Sequence, residues 1–124
     1  MKLIIGKSGK TSLIISEFLL EDDTYFITEY SSINGIKSIT RKELGRDFPE
    51  DKESYFRFIR DCDLTKLNSF VLTNRIRNKT IYTDIDLLSK HTLKEIEHFE
   101  FMNNVELVIS VESRKEEELK IVTI

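Results

Sequence analysis

The chain has one cysteine, Cys62, and one proline, Pro49, in 124 residues. A single thiol excludes an intramolecular disulfide and points to a reducing compartment. No histidine lies near Cys62 in sequence, so the thiol reads as a small apolar group for the core. Long apolar runs are missing too. Nothing approaches the roughly 20 residues of a membrane-spanning helix, and the run Leu3 to Ile5 is far shorter than a secretory core segment. A cytoplasmic protein with no membrane partner is therefore expected. Nor is there an excess of one charge: 19 basic and 22 acidic residues give a formal net charge of -3. That balance excludes coating nucleic acid through bulk charge and leaves only a local basic patch. The chain also lacks internal repeats, low-complexity segments and any Ser-His-Asp or Cys-His arrangement.

What remains is a balanced globular composition, 40% apolar and 33% charged. A chain of this length can bury roughly two thirds of its unfolded surface, enough for one core. KLIIG, ending at Gly6, reads as a short buried strand. Leu13, Ile14, Ile15, Phe18, Leu19 and Leu20 then give Thr11 to Leu20 the wide apolar face of a helix, and TYFITEY, Thr24 to Tyr30, is strand-like. Strand, glycine loop, helix and strand make a βαβ unit, which calls for a parallel pair.

The middle carries weaker signals. Turn residues cluster between Ser31 and Arg46, with a short helix expected around Arg41 to Leu44. Acidic residues after Pro49 predict a helix carrying Tyr55, Phe56, Phe58 and Ile59. Leu64 to Arg75 reads as a helix, although Phe70-Val71-Leu72 suits a strand equally well. Lys79 to Leu88 is a strand running into a loop, and Thr92 with Glu95 forms a capping box for a helix bearing Leu93, Ile96, Phe99 and Met102. Val105 to Glu112 and the terminal LKIVTI are strands joined by five residues, too few for a crossover helix. The expected fold is α/β: a mostly parallel sheet of about five strands flanked by helices, with a C-terminal antiparallel hairpin at one edge.

The residues that could carry chemistry begin with GKSGKT, Gly6 to Thr11, between the first strand and the first helix. Backbone N–H groups at a helix start form an anion site. Gly9 would let backbone approach a phosphate, Lys10 would bring an ammonium to the β and γ phosphates, and Thr11 could bind Mg²⁺. Only Lys7 and Ser8 separate Gly6 from the Gly-Lys pair, two fewer than the usual pattern. In an open α/β sheet ligands bind beyond the carboxyl ends of the strands, where Glu29, Asp84 and Asp86 arrive. One carboxylate near Thr11 would hold Mg²⁺, and a second would orient or deprotonate the attacking water.

The order of these features resembles the RecA-type P-loop ATPases, most of all their replicative-helicase branch. The matching stretches are GKSGKT, FITEYSS (Phe26 to Ser32), IYTDIDLL (Ile81 to Leu88) and LVISVESRK (Leu107 to Lys115), about half of the chain. The resemblance implies one P-loop domain over residues 1–124 that binds ATP and Mg²⁺. Gly6 to Thr11 would hold the nucleotide, Glu29 would be the catalytic carboxylate, and Asp84 the aspartate that works with Thr11 on Mg²⁺. Ser110 would sense the γ-phosphate, and Arg114 would meet a neighbouring subunit's nucleotide. The implied setting is DNA replication or recombination, with a homo-oligomer and nucleic acid or a replication protein as partners. The short loop, the small size and Val111, where that family carries a glutamine, favour a rival: a non-catalytic interaction module on a degenerate P-loop fold. A small-molecule kinase ranks lower for want of an arginine-rich lid.

Two further groups carry weaker signals. His91, Glu95 and His98 share a helical spacing that could hold a metal, but His91 precedes the expected helix start and the residues read as ordinary surface groups. Arg75, Arg77 and Lys79, with Lys37, Arg41, Lys42 and Arg46, could touch a phosphate backbone, yet a solvated surface is the simpler reading.

Overall fold

A computed structural model describes residues 1–6 and 10–112. Its elements run β1 (Lys2–Gly6), α1 (Lys10–Phe18), β2 (Thr24–Thr28), α2 (Ile33–Leu44), a 3₁₀ turn (Glu50–Tyr55), β3 (Phe56–Phe58), α3 (Leu64–Thr73), β4 (Lys79–Thr83), α4 (Leu87–Lys90), α5 (Leu93–Asn103) and β5 (Val105–Glu112). The strands form one sheet in the order β1-β5-β4-β2-β3, and every neighbouring pair is parallel.

The first βαβ unit does place β1 and β2 parallel in one sheet, but not side by side. β5 and β4 lie between them. The chain moves outward from β1 to β3, then turns back through β4 to β5. Right-handed crossovers put the outward helices on one face of a sheet and the returning helices on the other. The packing agrees. Ile14, Ile15 and Phe18 of α1 and Ile36 of α2 share a cluster with Phe26, Phe56, Tyr82 and Val108. On the other face, Leu67 and Val71 of α3 and Ile96 and Phe99 of α5 pack with Ile27, Ile81, Leu107 and Ile109. Alternate strand residues thus feed opposite faces, giving three layers.

The expected C-terminal antiparallel hairpin is not supported. β5 pairs with β1 through Lys2↔Val108 to Gly6↔Glu112 and with β4 through Lys79↔Val105 to Thr83↔Ile109. Both of its edges are taken by parallel neighbours, so β5 is an inner strand with no edge for an antiparallel partner. The short connection to the terminal LKIVTI gave no hint that β1 would claim that edge. LKIVTI itself lies outside the described residues.

The helix expected after Pro49 is a 3₁₀ turn followed by an edge strand. Tertiary pairing overrides the local signal here. Phe56 sits opposite Phe26 in the β2 ladder, its ring 5.6 Å from that of Phe26, and Ile59 N–H extends the pairing to the Thr28 carbonyl at 2.9 Å. By contrast α2 is longer than the short helix expected. Ser31 and Ser32 are not a turn that interrupts it: the Ser32 hydroxyl accepts from Gly35 N–H as the N-cap, a role that serine favours. Gly45 closes the helix at φ 66°, its N–H returning to the Arg41 carbonyl, the left-handed ending that glycine adopts without strain. The Thr92–Glu95 capping box is present with both of its hydrogen bonds.

Candidate functional site at the carboxyl ends of the strands

The chain leaves β1 on the α1 face and β4 on the α5 face. The connections therefore diverge above β5, the kind of position at which open α/β sheets bind ligands. Among the residues of the resemblance, Thr11, Glu29, Asp84 and Ser110 lie at this end of the sheet. Gly6 ends β1 and Lys10 begins α1, so GKSGKT does span a strand-to-helix connection. Lys7, Ser8 and Gly9 lie outside the described residues.

Thr11, in the first turn of α1, donates its hydroxyl to Asp84 Oδ2 at 2.5 Å across 73 residues of sequence. Asp84 is fully buried and follows the last residue of β4. Alternation along β4 puts it on the face of Tyr82, where α1 packs. That is why the helix start can reach it.

Ser110 occupies the neighbouring strand. It pairs in register with Ile4 of β1, and continuing Thr83↔Ile109 by one residue sets it beside Asp84. Ser110 is 1% exposed, and its hydroxyl has no hydrogen-bond partner among the described residues. A buried hydroxyl left unsatisfied costs roughly 1–3 kcal/mol, a cost that a bound polar ligand would relieve.

Strands β2 and β4 end alike. The buried Thr28 accepts from Tyr30 N–H at 3.1 Å, and the buried Thr83 accepts from Ile85 N–H at 3.1 Å. Each threonine bends the chain in a side-chain turn and delivers the next residue, Glu29 or Asp84, at the sheet end. Glu29, however, shares the face of Ile27 and so lies toward α3 and α5. There both of its oxygens meet Lys90 Nζ, at 2.8 and 3.2 Å, and Lys90 also donates to the Cys62 carbonyl at 2.8 Å.

Tyr30 follows Glu29 and is half exposed. Its phenol is held above the ordinary value of 10.0, first by burial and then by the charges of Glu29, Asp84 and Asp86. Cys62 is fully buried, and its thiol is pushed up to about 12, chiefly by burial and then by Glu29 and Asp63. It is no nucleophile at neutral pH.

Sequence reasoning missed Lys90 and Tyr30. Tyr30 stood within FITEYSS and could have been singled out there. Lys90 gave no local signal, because α4 reaches Glu29 only through the tertiary fold. Arg114 lies outside the described residues, as do the side chains of Lys10 and Val111.

The other groups lie elsewhere. His91 Nε2 accepts from Leu64 N–H at 3.2 Å and its Nδ1 faces Glu95 at 3.6 Å, so the ring caps α3. No group of three or more His, Cys, Asp or Glu that could hold a metal occurs among the described residues. Magnesium does not need one, since one or two carboxylates plus substrate phosphates suffice. The basic residues are partly spent in ion pairs: Lys37 with Glu53 at 3.1 Å, Arg41 with Asp47 at 2.9 Å and Lys79 with Asp23. A cavity of about 690 Å³ lined by Lys2, Glu17, Thr24, Thr80 and Glu106 sits at the amino ends of the strands, away from this chemistry. Among the described residues no helix is long and apolar enough to cross a membrane.

No protein-family model matches the chain, and no curated protein matches it either.

Proposed function

We propose that the chain is a minimal RecA-like ATP-binding protein with Mg²⁺-dependent ATPase activity, acting in DNA replication or recombination. One observation carries the reading: the Thr11–Asp84 hydrogen bond at 2.5 Å. It joins the hydroxyl of the glycine-lysine-threonine loop to a buried carboxylate, the donor set that a magnesium-bound triphosphate requires.

The residues divide the work. Thr11 and Asp84 would hold Mg²⁺, which when bound neutralises phosphate charge. Gly6 to Lys10 would cradle the phosphates with backbone N–H groups and the lysine ammonium. Ser110 offers a buried hydroxyl to the terminal phosphate, and burial makes that bond stronger than it would be in water. Glu29 would orient the attacking water, as a carboxylate does in phosphoryl transfer. Arg114 would serve a neighbouring subunit's nucleotide in a homo-oligomer, and nucleic acid or a replication protein would be the macromolecular partner.

A second reading is favoured by the loop itself. Only three residues separate Gly6, the end of β1, from Lys10, the start of α1, so fewer backbone donors reach a phosphate than in a full loop. On that reading the chain is an interaction module that binds nucleotide weakly, or not at all, and turns none over. Phosphate release from Mg²⁺-ATP, measured beside Glu29→Gln, separates the two. The ATPase reading expects turnover in the wild type, its loss in Glu29→Gln, and retained ATP binding in that variant. Equal rates in both proteins contradict it.

A further inference from the structure

We infer that Lys90 is the positioning residue for Glu29, an inference that rests on the ATPase reading above. An ammonium has three donors, and Lys90 has three acceptors within 3.2 Å: both oxygens of Glu29 and the carbonyl of Cys62. The two carboxylate oxygens lie too close together to take separate hydrogens and share one N–H, while a second goes to the carbonyl, so the ammonium is committed to these two groups. The carboxylate is not used up. Two oxygens offer about four lone-pair sites, and Lys90 occupies two of them. The remainder can accept from a water molecule while the carboxylate stays fixed.

The support for Lys90 is itself fixed. The side chain of Lys90 is one third exposed and that of Glu29 15% exposed, and the ammonium is held by a backbone carbonyl as well as by the carboxylate. The next residue, His91, closes α4 through its N–H to the Leu87 carbonyl at 2.9 Å. Its ring accepts from Leu64 N–H. Two consecutive side chains thus bind two points of the segment from Cys62 to Leu64, one on each side of Asp63, the N-cap of α3. Glu29 is oriented by a lysine whose ammonium is itself held by a backbone carbonyl. A carboxylate held in one orientation is what efficient water alignment needs.

The role is read from ATP turnover and from ATP binding, measured separately. Lys90→Met is expected to lower kcat about tenfold or more while the ATP dissociation constant stays within about twofold. Lys90→Arg, whose guanidinium binds a carboxylate through two parallel bonds, is expected to recover most of the rate. On a Glu29→Gln background, Lys90→Met is expected to cost nothing further, because the two residues act as one unit. Circular dichroism checks that each variant folds. A wild-type ATPase indifferent to Lys90→Met overturns the role of Lys90 alone. So does a variant in which binding, rate and melting temperature fall together without rescue by arginine. A wild type that binds ATP without turning it over overturns the role while leaving the nucleotide site standing. A wild type that does not bind ATP overturns the nucleotide reading and this role with it.

Discussion

Thr11 and Asp84 stand 73 residues apart in sequence and share a hydrogen bond of 2.5 Å, formed where the first helix begins and the central strand β4 ends. The contact exists because β4 lies two strands from β1, with β5 between, and because α1 packs on the face that alternation gives to Asp84. Removing either partner should therefore act on magnesium. Asp84→Asn is expected to leave ATP binding in EDTA near the wild-type level and to abolish the gain on adding Mg²⁺. Titration calorimetry with and without the metal checks this.

Ser110 supplies an independent prediction. Its hydroxyl is buried without a partner among the described residues, so Ser110→Ala removes an unsatisfied group. The nucleotide-free protein should be as stable as the wild type or more stable by about 1 kcal/mol, while its stabilisation by ATP shrinks. Urea unfolding with and without nucleotide measures both. A loss of stability in the free protein would show that the hydroxyl is already satisfied.

Cys62 predicts a pH dependence. In the unfolded chain the thiol ionises near 9.0, whereas in the folded protein it keeps its proton to about 12. Between those values the unfolded state binds fewer protons, so stability falls as pH rises. Tyr30 and Tyr82, both raised by burial and neighbouring carboxylates, act in the same direction above pH 10. Cys62→Ala should flatten the decline across pH 9 to 12 relative to wild type, as read by urea unfolding at several pH values.

Asp63 works in the opposite sense. It caps α3 by accepting from Lys66 N–H at 2.9 Å, and that bond is the main reason its carboxyl lies below the ordinary 3.8. Asp63→Ala should cost about 1 kcal/mol at neutral pH. The contribution is present above pH 3.8 and is lost as pH falls through the folded value, so wild type and variant should converge in acid.

The sheet core predicts a contrast between two apolar residues. Ile81, fully buried in β4, should cost about 2–5 kcal/mol as Ile81→Ala. Leu72, 63% exposed on α3, should cost within about 0.5 kcal/mol as Leu72→Ala.

Much of this arrangement was legible in local sequence. The apolar spacing of α1, the capping box of α5 and the β-branched run of β5 each state their own element, and the Thr-Glu and Thr-Asp pairs at the ends of β2 and β4 mark where carboxylates arrive. Strand order was not legible. Pairing depends on which edges remain free in three dimensions, so β5 read as half of an antiparallel hairpin although β1 and β4 occupy both of its sides. The Phe56 strand was hidden for a similar reason: its extended form is stabilised by Phe26 and the β2 ladder, while its own residues signal a helix. Lys90 is the sharpest case. Its chemistry depends on Glu29, 61 residues away, and on a backbone carbonyl, neither of which leaves a trace around position 90.

The nucleotide site itself is tested most directly by the melting temperature with and without saturating Mg²⁺-ATP, for the wild type and Lys10→Ala. A ligand at a hundred times its dissociation constant stabilises by about 2.7 kcal/mol, roughly 10 °C for a domain of this size. A shift of that order in the wild type, lost in Lys10→Ala, is the expected result. An unshifted wild type at millimolar ATP, or an equal shift in both proteins, would contradict the site.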